Sequence, residues 1–263
     1  MRDTVRMGNE QERKEFKMND SIKAVVLAAG KGTRLQSEQT HLPKVMRQAN
    51  GQPLLAYVLD SLSFLPKEDI ILVVGYQRET ILSAYPEYPY AVQAEQLGTG
   101  HAVQCAADAL SGFSGHVLVC CGDTPLLKRK TLETLVHTHL EERNACTILT
   151  ALLEDGGNYG RILRTADGGF SAIVESKDCT PEQRAVRLVN VGTYLFRCPD
   201  LLTVLSKLQR NNAQGEYYLT DAPALLQAAG GQVGLAYGCT AQEMLGVNTP
   251  EQLAQVEAIL SAR

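Results

Sequence analysis

No uncharged apolar run in this sequence approaches the roughly 18 residues that a membrane-spanning helix requires, which excludes a helical transmembrane protein. A Gly-X-Y period, a low-complexity tract and a heptad series are also missing, so collagen, coiled coil and wholesale disorder drop out. There is no basic excess. Lys and Arg number 25 against 29 Asp and Glu, a formal net charge of -4, which is not the electrostatic footprint of a nucleic-acid binder. The seven cysteines, at 105, 120, 121, 146, 179, 198 and 239, contain no C-x-x-C pair. Neither a disulfide framework nor a zinc site can be read from them, and buried free thiols in a reducing cytoplasm are the expectation. His137 and His139 lie two apart in a segment of helical period (Leu132, Leu135, Val136, Leu140), so they face different directions and read as ordinary helix residues.

What is present is an ordinary globular composition, 263 residues with 44% hydrophobic and 21% charged, long enough for one large domain or two small ones. Residues 1–20 carry ten charged residues and no signal-peptide h-region, and read as a disordered charged tail. Ile22 to Ala29 is a continuous Ala/Val/Leu run of the kind found where a parallel sheet is covered on both faces. After a polar loop, Pro53 opens a helix with Leu54, Leu55, Val58, Leu59 and Leu62 on one face, and Ile70 to Val74 supplies the next strand. The alternation continues with a helix after Gly98-Thr99-Gly100, a strand Val117 to Cys121, a helix from Thr131 and a strand Thr147 to Leu152. This predicts an α/β, Rossmann-like, doubly wound and mostly parallel mixed sheet. Arg161 to Arg164, Phe170 to Glu175 and Val189 to Phe196 read as an inserted β-rich region facing the substrate, with a hairpin turn at Asp167-Gly168-Gly169. Without a Pro/Ser-rich linker, 21–263 is expected to form one domain. Thr249-Pro250-Glu251-Gln252 carries an N-cap, an N1 proline and a capping-box glutamine for a terminal helix.

The segment 27–35, Leu-Ala-Ala-Gly-Lys-Gly-Thr-Arg-Leu, leaves a buried strand and turns through two glycines, with Pro43-Lys44 beyond it. Backbone N–H groups in such a turn can cradle phosphate oxygens, and glycine permits a close approach. It is neither G-x-x-x-x-G-K-[ST] nor G-x-G-x-x-G, because Lys31 lies between the glycines and Leu35 stands where a third glycine would be. From Ser21 to Asn50, Lys23, Lys31, Arg34, Lys44 and Arg47 face Glu38 alone, a positive island in an acidic chain that suits a highly anionic small ligand. A solvated lysine-bearing loop is the plain alternative. Asp123 follows a strand at the carboxyl edge of the sheet, where a carboxylate can hold Mg²⁺; as a lone Gly-Asp it is equally a turn with an Asx cap. A second oxygen ligand would decide, and Asn248 is the candidate, its plain role being a turn residue before the last helix.

These residues resemble the uridyltransferase domain of bacterial N-acetylglucosamine-1-phosphate uridyltransferases, within the sugar nucleotidyltransferase family. Eight blocks in order carry the resemblance: 27–34, Leu-Pro-Lys 42–44, 93–102 (Gln-Ala-Glu-Gln-Leu-Gly-Thr-Gly-His-Ala), Gly-Asp-Thr-Pro-Leu 122–126, Tyr-Gly-Arg-Ile 159–162, Ile-Val-Glu-Ser-Lys-Asp 173–178, 213–221 (Ala-Gln-Gly-Glu-Tyr-Tyr-Leu-Thr-Asp) and Gly-Val-Asn 246–248. The resemblance implies Mg²⁺-dependent formation of UDP-N-acetylglucosamine and pyrophosphate from UTP and N-acetylglucosamine 1-phosphate. It implies that Ala28, Ala29 and Gly30 line the nucleotide, that Gly32 and Thr33 approach the phosphates, and that Arg34 and Lys44 stabilise charge on the triphosphate. Gln93, Gly98 and Thr99 match uracil-reading positions, Asp123 and Asn248 the metal ligands, and Gly160, Glu175 and Asn190 the contacts to the amino sugar. Tyr217 and Tyr218 are expected to pack before a helix capped by Thr220, without a catalytic role. Two departures stand out: Val45-Met46-Arg47-Gln48 where the family usually has Val-Leu-His-Pro, and Cys120-Cys121 before Gly122 where a tyrosine is common. No hexapeptide repeat follows, so neither acetyl transfer nor a trimer built by such a solenoid is expected. Another sugar 1-phosphate or NTP, a non-catalytic nucleotide-sugar sensor and, more distantly, a dehydrogenase are the competing readings. Small-molecule substrates, with no nucleic acid or membrane partner, are the expected ligands.

Overall fold

The computed structural model of the protein describes residues 21–35 and 41–262. The tail expected over 1–20 therefore lies outside the described residues, as do 36–40 of the polar loop and Arg263.

The strands are β1 Ile22–Ala28, β2 Gln48–Ala49, β3 Gln52–Pro53, β4 Ile70–Val74, β5 Tyr90–Val92, β6 His116–Cys121, β7 Cys146–Leu152, β8 Arg161–Arg164, β9 Phe170–Val174, β10 Leu188–Arg197 and β11 Val233–Ala236. The α-helices are α1 Leu54–Ser61, α2 Arg78–Ala84, α3 Thr99–Cys105, α4 Arg129–Glu142, α5 Pro181–Arg184, α6 Cys198–Leu205, α7 Ala222–Ala228 and α8 Pro250–Ser261. The main sheet runs β11-β7-β10-β6-β1-β4-β5. Pairs β1·β4, β1·β6, β4·β5 and β7·β11 are parallel, whereas β10 runs antiparallel to β6 and β7. The β8–β9 hairpin hangs from β10.

Side chains alternate across a strand, and here both faces are covered. Ala24, Val26 and Ala28 of β1 point into a cluster with Leu55, Val58, Leu59 and Leu62 from the α1 side and Leu132, Leu135 and Val136 from α4. Val25 points the other way, to Ala102 and Val103 of α3 and Leu201, Val204 and Leu205 of α6. From Ala24 to Ala28 β1 is apolar without interruption, as a strand buried on both sides needs, with Lys23 at its start, and this is the doubly wound arrangement expected.

The last helix carries the expected cap. Thr249 Oγ1 accepts from Gln252 N at 3.3 Å and Gln252 Oε1 accepts from Thr249 N at 3.1 Å. Val256 then seats α8 in a third cluster with Leu35, Leu54, Leu126 and Val247, which brings the end of the chain onto the edge where β1 ends.

Three sequence readings change. Val189 to Phe196 is not part of an inserted region: as β10 it lies inside the main sheet, antiparallel to both β6 and β7, and only the β8–β9 hairpin projects from it. His139 is not an ordinary helix residue: fully buried, it bridges His116 Nδ1 at 2.9 Å and Thr147 Oγ1 at 2.9 Å. His137 is exposed and pairs with Glu141. Thr220 does not cap a helix, because its hydroxyl donates to Glu175 Oε1 at 3.1 Å and α7 begins after Asp221 without a side-chain cap. All seven cysteines are free, and five are buried.

Candidate active site

Parallel strands β1, β4, β5 and β6 end at one edge of the sheet, and β10, running the other way, brings its first residues to the same edge. Ala28 ends β1 and Asn190 lies near the start of β10, Gly30, Gln93 and Asp123 follow strands that end at this edge, and Gly160 and Glu175 flank the hairpin that hangs from β10.

The first group is polar and ionic. Gly122 N donates to Leu27 O at 2.9 Å, so β6 and β1 stay paired until their last residues. A Cβ on Gly122 would lie 3.1 Å from that same carbonyl, which explains the glycine. Asp123 comes next, and its carbonyl accepts from Val247 N at 2.9 Å, pinning the segment before α8 against the end of β6. Lys44, in a 3₁₀ turn of 44–46, reaches between them. Its Nζ bonds Asp123 Oδ2 and donates to Asn248 Oδ1 at 3.0 Å. The two side-chain oxygens predicted from positions 125 residues apart therefore share one cation. Gln252 fixes the third corner, its Oε1 accepting from Asn248 N at 2.8 Å as well as from Thr249 N.

Beside this cluster lies the glycine turn. Ala28 and Ala29 are buried and belong to the sheet core, while Gly30, Lys31, Thr33 and Arg34 are exposed. Gly32 adopts φ +65°, a left-handed conformation that closes the turn into the 3₁₀ helix of 33–35. Among the described residues nothing lies within 4 Å of a Cβ built on Gly30.

On the other side of β1 is a carboxamide pocket. Gln93, at the end of β5, is 4% exposed; its Nε2 donates to Gly98 O at 3.0 Å and meets His101 Nδ1 at 3.2 Å. Gly98 has φ +113°, and a Cβ there would strike Tyr217 O at 2.5 Å, so only glycine fits. The loop is braced from outside. Gly100 N donates to Tyr217 O at 2.8 Å, Tyr217 N to Leu97 O at 2.8 Å and Leu219 N to Thr99 Oγ1 at 3.1 Å. Sequence reasoning gave Tyr217 and Tyr218 packing roles alone and missed this brace and His101. Nothing in the pattern shows it, since backbone groups carry most of it.

The third group surrounds β10. Gly160 is buried beside Glu175 and Asn190, and a Cβ on it would lie 3.6 Å from Glu175 Oε2 and 3.7 Å from Asn190 Cβ. Asn190 N donates to Gly160 O at 2.9 Å. The Asn190 side chain is held at both ends, Nδ2 donating to Tyr194 Oη at 2.7 Å and Oδ1 accepting from Gly192 N at 3.0 Å. Burial pushes the Glu175 carboxyl above its ordinary value, with Asp178, Asp221 and Glu216 adding to the rise against the Thr220 hydrogen bond. Arg161, 2% exposed, threads its guanidinium under the loop before Gly160 and donates to the carbonyls of Gly156, Gly157 and Tyr159, with Arg184 O at 3.4 Å. Cys121 connects this group to the ionic cluster: its Sγ faces Gly192 O at 3.9 Å, and burial raises the thiol to about 12, so it is an uncharged wall rather than a nucleophile.

The edge thus presents three adjoining groups: cationic and oxygen side chains beside the glycine turn, a fixed carboxamide to one side, and buried polar side chains to the other. Among the described residues no helix is long and apolar enough to cross a membrane.

Comparison with known proteins finds a family and relatives for the chain. The model of the MobA-like NTP transferase domain family matches residues 24–216. The chain is 44% identical over 242 residues to the bifunctional protein GlmU of Clostridium beijerinckii, covering 91% of this chain and 52% of that protein. To the bifunctional protein GlmU of Syntrophotalea carbinolica it is 44% identical over 247 residues, covering 93% of this chain and 52% of the relative. The chain therefore spans about half the length of the curated relatives it matches. Two solved structures share the fold at 18% identity. One is a putative glucose-1-phosphate thymidylyltransferase from Bacillus anthracis in complex with sucrose, TM-score 0.71, covering 91% of this chain and 95% of that one. The other is a UDP-glucose pyrophosphorylase complexed with UDP-glucose, TM-score 0.74, covering 92% of this chain and all of that one. With a family model matched over most of its length, the chain belongs to the MobA-like NTP transferase domain family.

Proposed function

We propose that this chain transfers a uridylyl group from UTP to N-acetylglucosamine 1-phosphate, forming UDP-N-acetylglucosamine and pyrophosphate. The observation that carries the reading is the convergence of Asp123 and Asn248 on one cation, the Lys44 ammonium, beside the glycine turn. The name of the GlmU relatives and the eight ordered sequence blocks support the substrate assignment.

A carboxylate and an amide oxygen close enough to share one ammonium are a hard-oxygen donor pair, which fits Mg²⁺ with its remaining positions left to phosphate oxygens and water. Asp123 and Asn248 would hold the ion. When bound, it neutralises charge on the substrate phosphates. The protein's own groups do the rest by positioning and electrostatics, since phosphoryl chemistry asks little covalent work of the chain. Ala28, Ala29 and Gly30 form the floor on which the nucleoside lies, and the N–H groups around Gly32 and Thr33 approach its phosphates. Arg34, exposed at the rim, and Lys44 meet the charge that grows on the triphosphate. Gln93, Gly98 and Thr99 read the base. Gly160 leaves room for the sugar ring, while Glu175 accepts from its hydroxyls and Asn190 borders it. An oxygen of the sugar phosphate then attacks the α-phosphorus in line, the bond from that phosphorus to the β-phosphate oxygen breaks, and pyrophosphate leaves.

The test is incubation of the chain with UTP, Mg²⁺ and N-acetylglucosamine 1-phosphate, with pyrophosphate release measured. Release that depends on all three supports the reading; none above background overturns it. Substituting other nucleoside triphosphates and other sugar 1-phosphates one at a time, the same assay reads the preference.

A further inference from the structure

We propose that His101 is a positioning residue that, together with the Gly98 carbonyl, holds the Gln93 carboxamide with its oxygen toward the nucleobase and so sets base selectivity. The inference rests on the base-reading role given to Gln93 above.

The amide's direction follows from its neighbours. A backbone carbonyl only accepts, so the end of the Gln93 amide 3.0 Å from Gly98 O is the nitrogen. The second amide hydrogen is directed at His101 Nδ1, 3.2 Å away, and for that nitrogen to accept, the ring must carry its proton on Nε2. Nε2 in turn faces Cys105 Sγ at 3.8 Å, one turn along α3, and the Tyr217 ring backs the imidazole with centroids 6.3 Å apart. Gln93 is 4% exposed, so the amide has little room to turn. Both amide hydrogens are engaged within the protein, and Oε1 is the end left for a ligand.

An amide oxygen recognises a ring N–H. Uracil and thymine carry one at N3, whereas cytosine presents a lone pair there, and two acceptors facing each other leave both unpaired in a dry site. Sites that hydrogen-bond a substrate group discriminate strongly for this reason. Turning the amide over to suit cytosine breaks two hydrogen bonds while His101 accepts, and one when it cannot. His101 thus adds a second contact against the flip for as long as its proton stays on Nε2, beside Cys105 Sγ, since a ring protonated on Nδ1 would donate to the turned oxygen instead.

The experiment measures kcat and KM for UTP and CTP, and calorimetric binding of each, in the native chain and in His101→Leu, His101→Asn and Gln93→Leu. Asparagine places an acceptor near the position of Nδ1, whereas leucine offers none. His101→Leu should lower the UTP-over-CTP ratio of kcat/KM about tenfold, mainly through a raised KM for UTP, with KM for the sugar 1-phosphate within about twofold of native. His101→Asn should keep the ratio within about threefold. If His101→Leu does not fold, His101→Phe preserves the volume and removes the acceptor. A UTP-over-CTP ratio in the Leu or Phe variant within twofold of native, or an equal loss in the Asn variant, overturns the positioning role. An unchanged ratio in Gln93→Leu overturns the base-reading role itself, so the two failures are told apart.

Discussion

Lys44 and Asn248 are 204 positions apart in the chain, yet the Lys44 ammonium donates to Asn248 Oδ1 at 3.0 Å while bonded to Asp123. Three segments that no local pattern connects meet at one charge. Lys44 balances Asp123 within a partly buried site, and the proposed function gives the same pair of oxygens to a divalent ion.

Removing one of those oxygens should cost turnover more than substrate affinity. Asp123→Asn is expected to lower kcat by about 10²-fold or more at saturating UTP, in line with the loss of a group that stabilises developing charge. Pyrophosphate release over a Mg²⁺ titration checks this; a variant with native kcat removes Asp123 from the metal site.

Gln252 orients the Asn248 backbone, because its Oε1 holds the N–H groups of both Asn248 and Thr249. Gln252→Leu should raise the Mg²⁺ concentration at half-maximal rate by about tenfold, the usual scale for a partner that orients a ligand. Gln252→Glu keeps an acceptor in the capping box and should stay close to native. Binding of Mn²⁺ followed by electron paramagnetic resonance gives the same comparison without turnover.

Burial raises the Glu175 carboxyl above its ordinary value, so the folded chain holds a proton there more tightly than the unfolded chain does. Stability from this group is full below the unfolded value and is lost as pH rises through the folded one. Glu175→Gln should therefore have a higher unfolding midpoint than native at pH 7, with the gap closing toward pH 4. It should also raise KM for the sugar 1-phosphate about tenfold. Thermal melts at the two pH values and sugar-phosphate kinetics at pH 7 test the pair of effects, and a lower melting point at pH 7 would contradict the first.

His139 behaves in the opposite sense. Desolvation, then His116 and Arg197, lower it from 6.5 to about 3. The unfolded chain takes up a proton that the folded one refuses, and stability falls as pH drops from 6.5 toward 3. At pH 5 this costs about 2 kcal/mol relative to pH 7.5. Urea unfolding at both values should show that loss, and His139→Gln should lack most of it.

Arg161 has no carboxylate partner among the described residues; its guanidinium is satisfied by loop carbonyls and by Arg184 O. Arg161→Met should destabilise the chain by about 3 kcal/mol, since buried carbonyls lose their donors. Arg161→Lys cannot reach all of them with one ammonium and should recover only part of that loss in denaturant titrations.

The sequence by itself determined the alternation of strands and helices, the doubly covered strands and the cap of the last helix, because each follows from side-chain spacing along a short stretch. The Ile22–Ala28 run and the Thr249–Gln252 box are such cases, readable from neighbours two to four residues apart. The glycine turn and Asp123 could be singled out by type, though what they faced could not. Only the tertiary structure decided that Lys44 stands between Asp123 and Asn248, that the 217–219 backbone braces the loop of Gly98, that His101 Nδ1 meets the Gln93 amide, and that His139 is buried against His116. The reason is physical. These contacts join residues far apart in the chain, several run through backbone groups that every residue carries, and each exists only once sheet packing has brought the strand ends to a common edge.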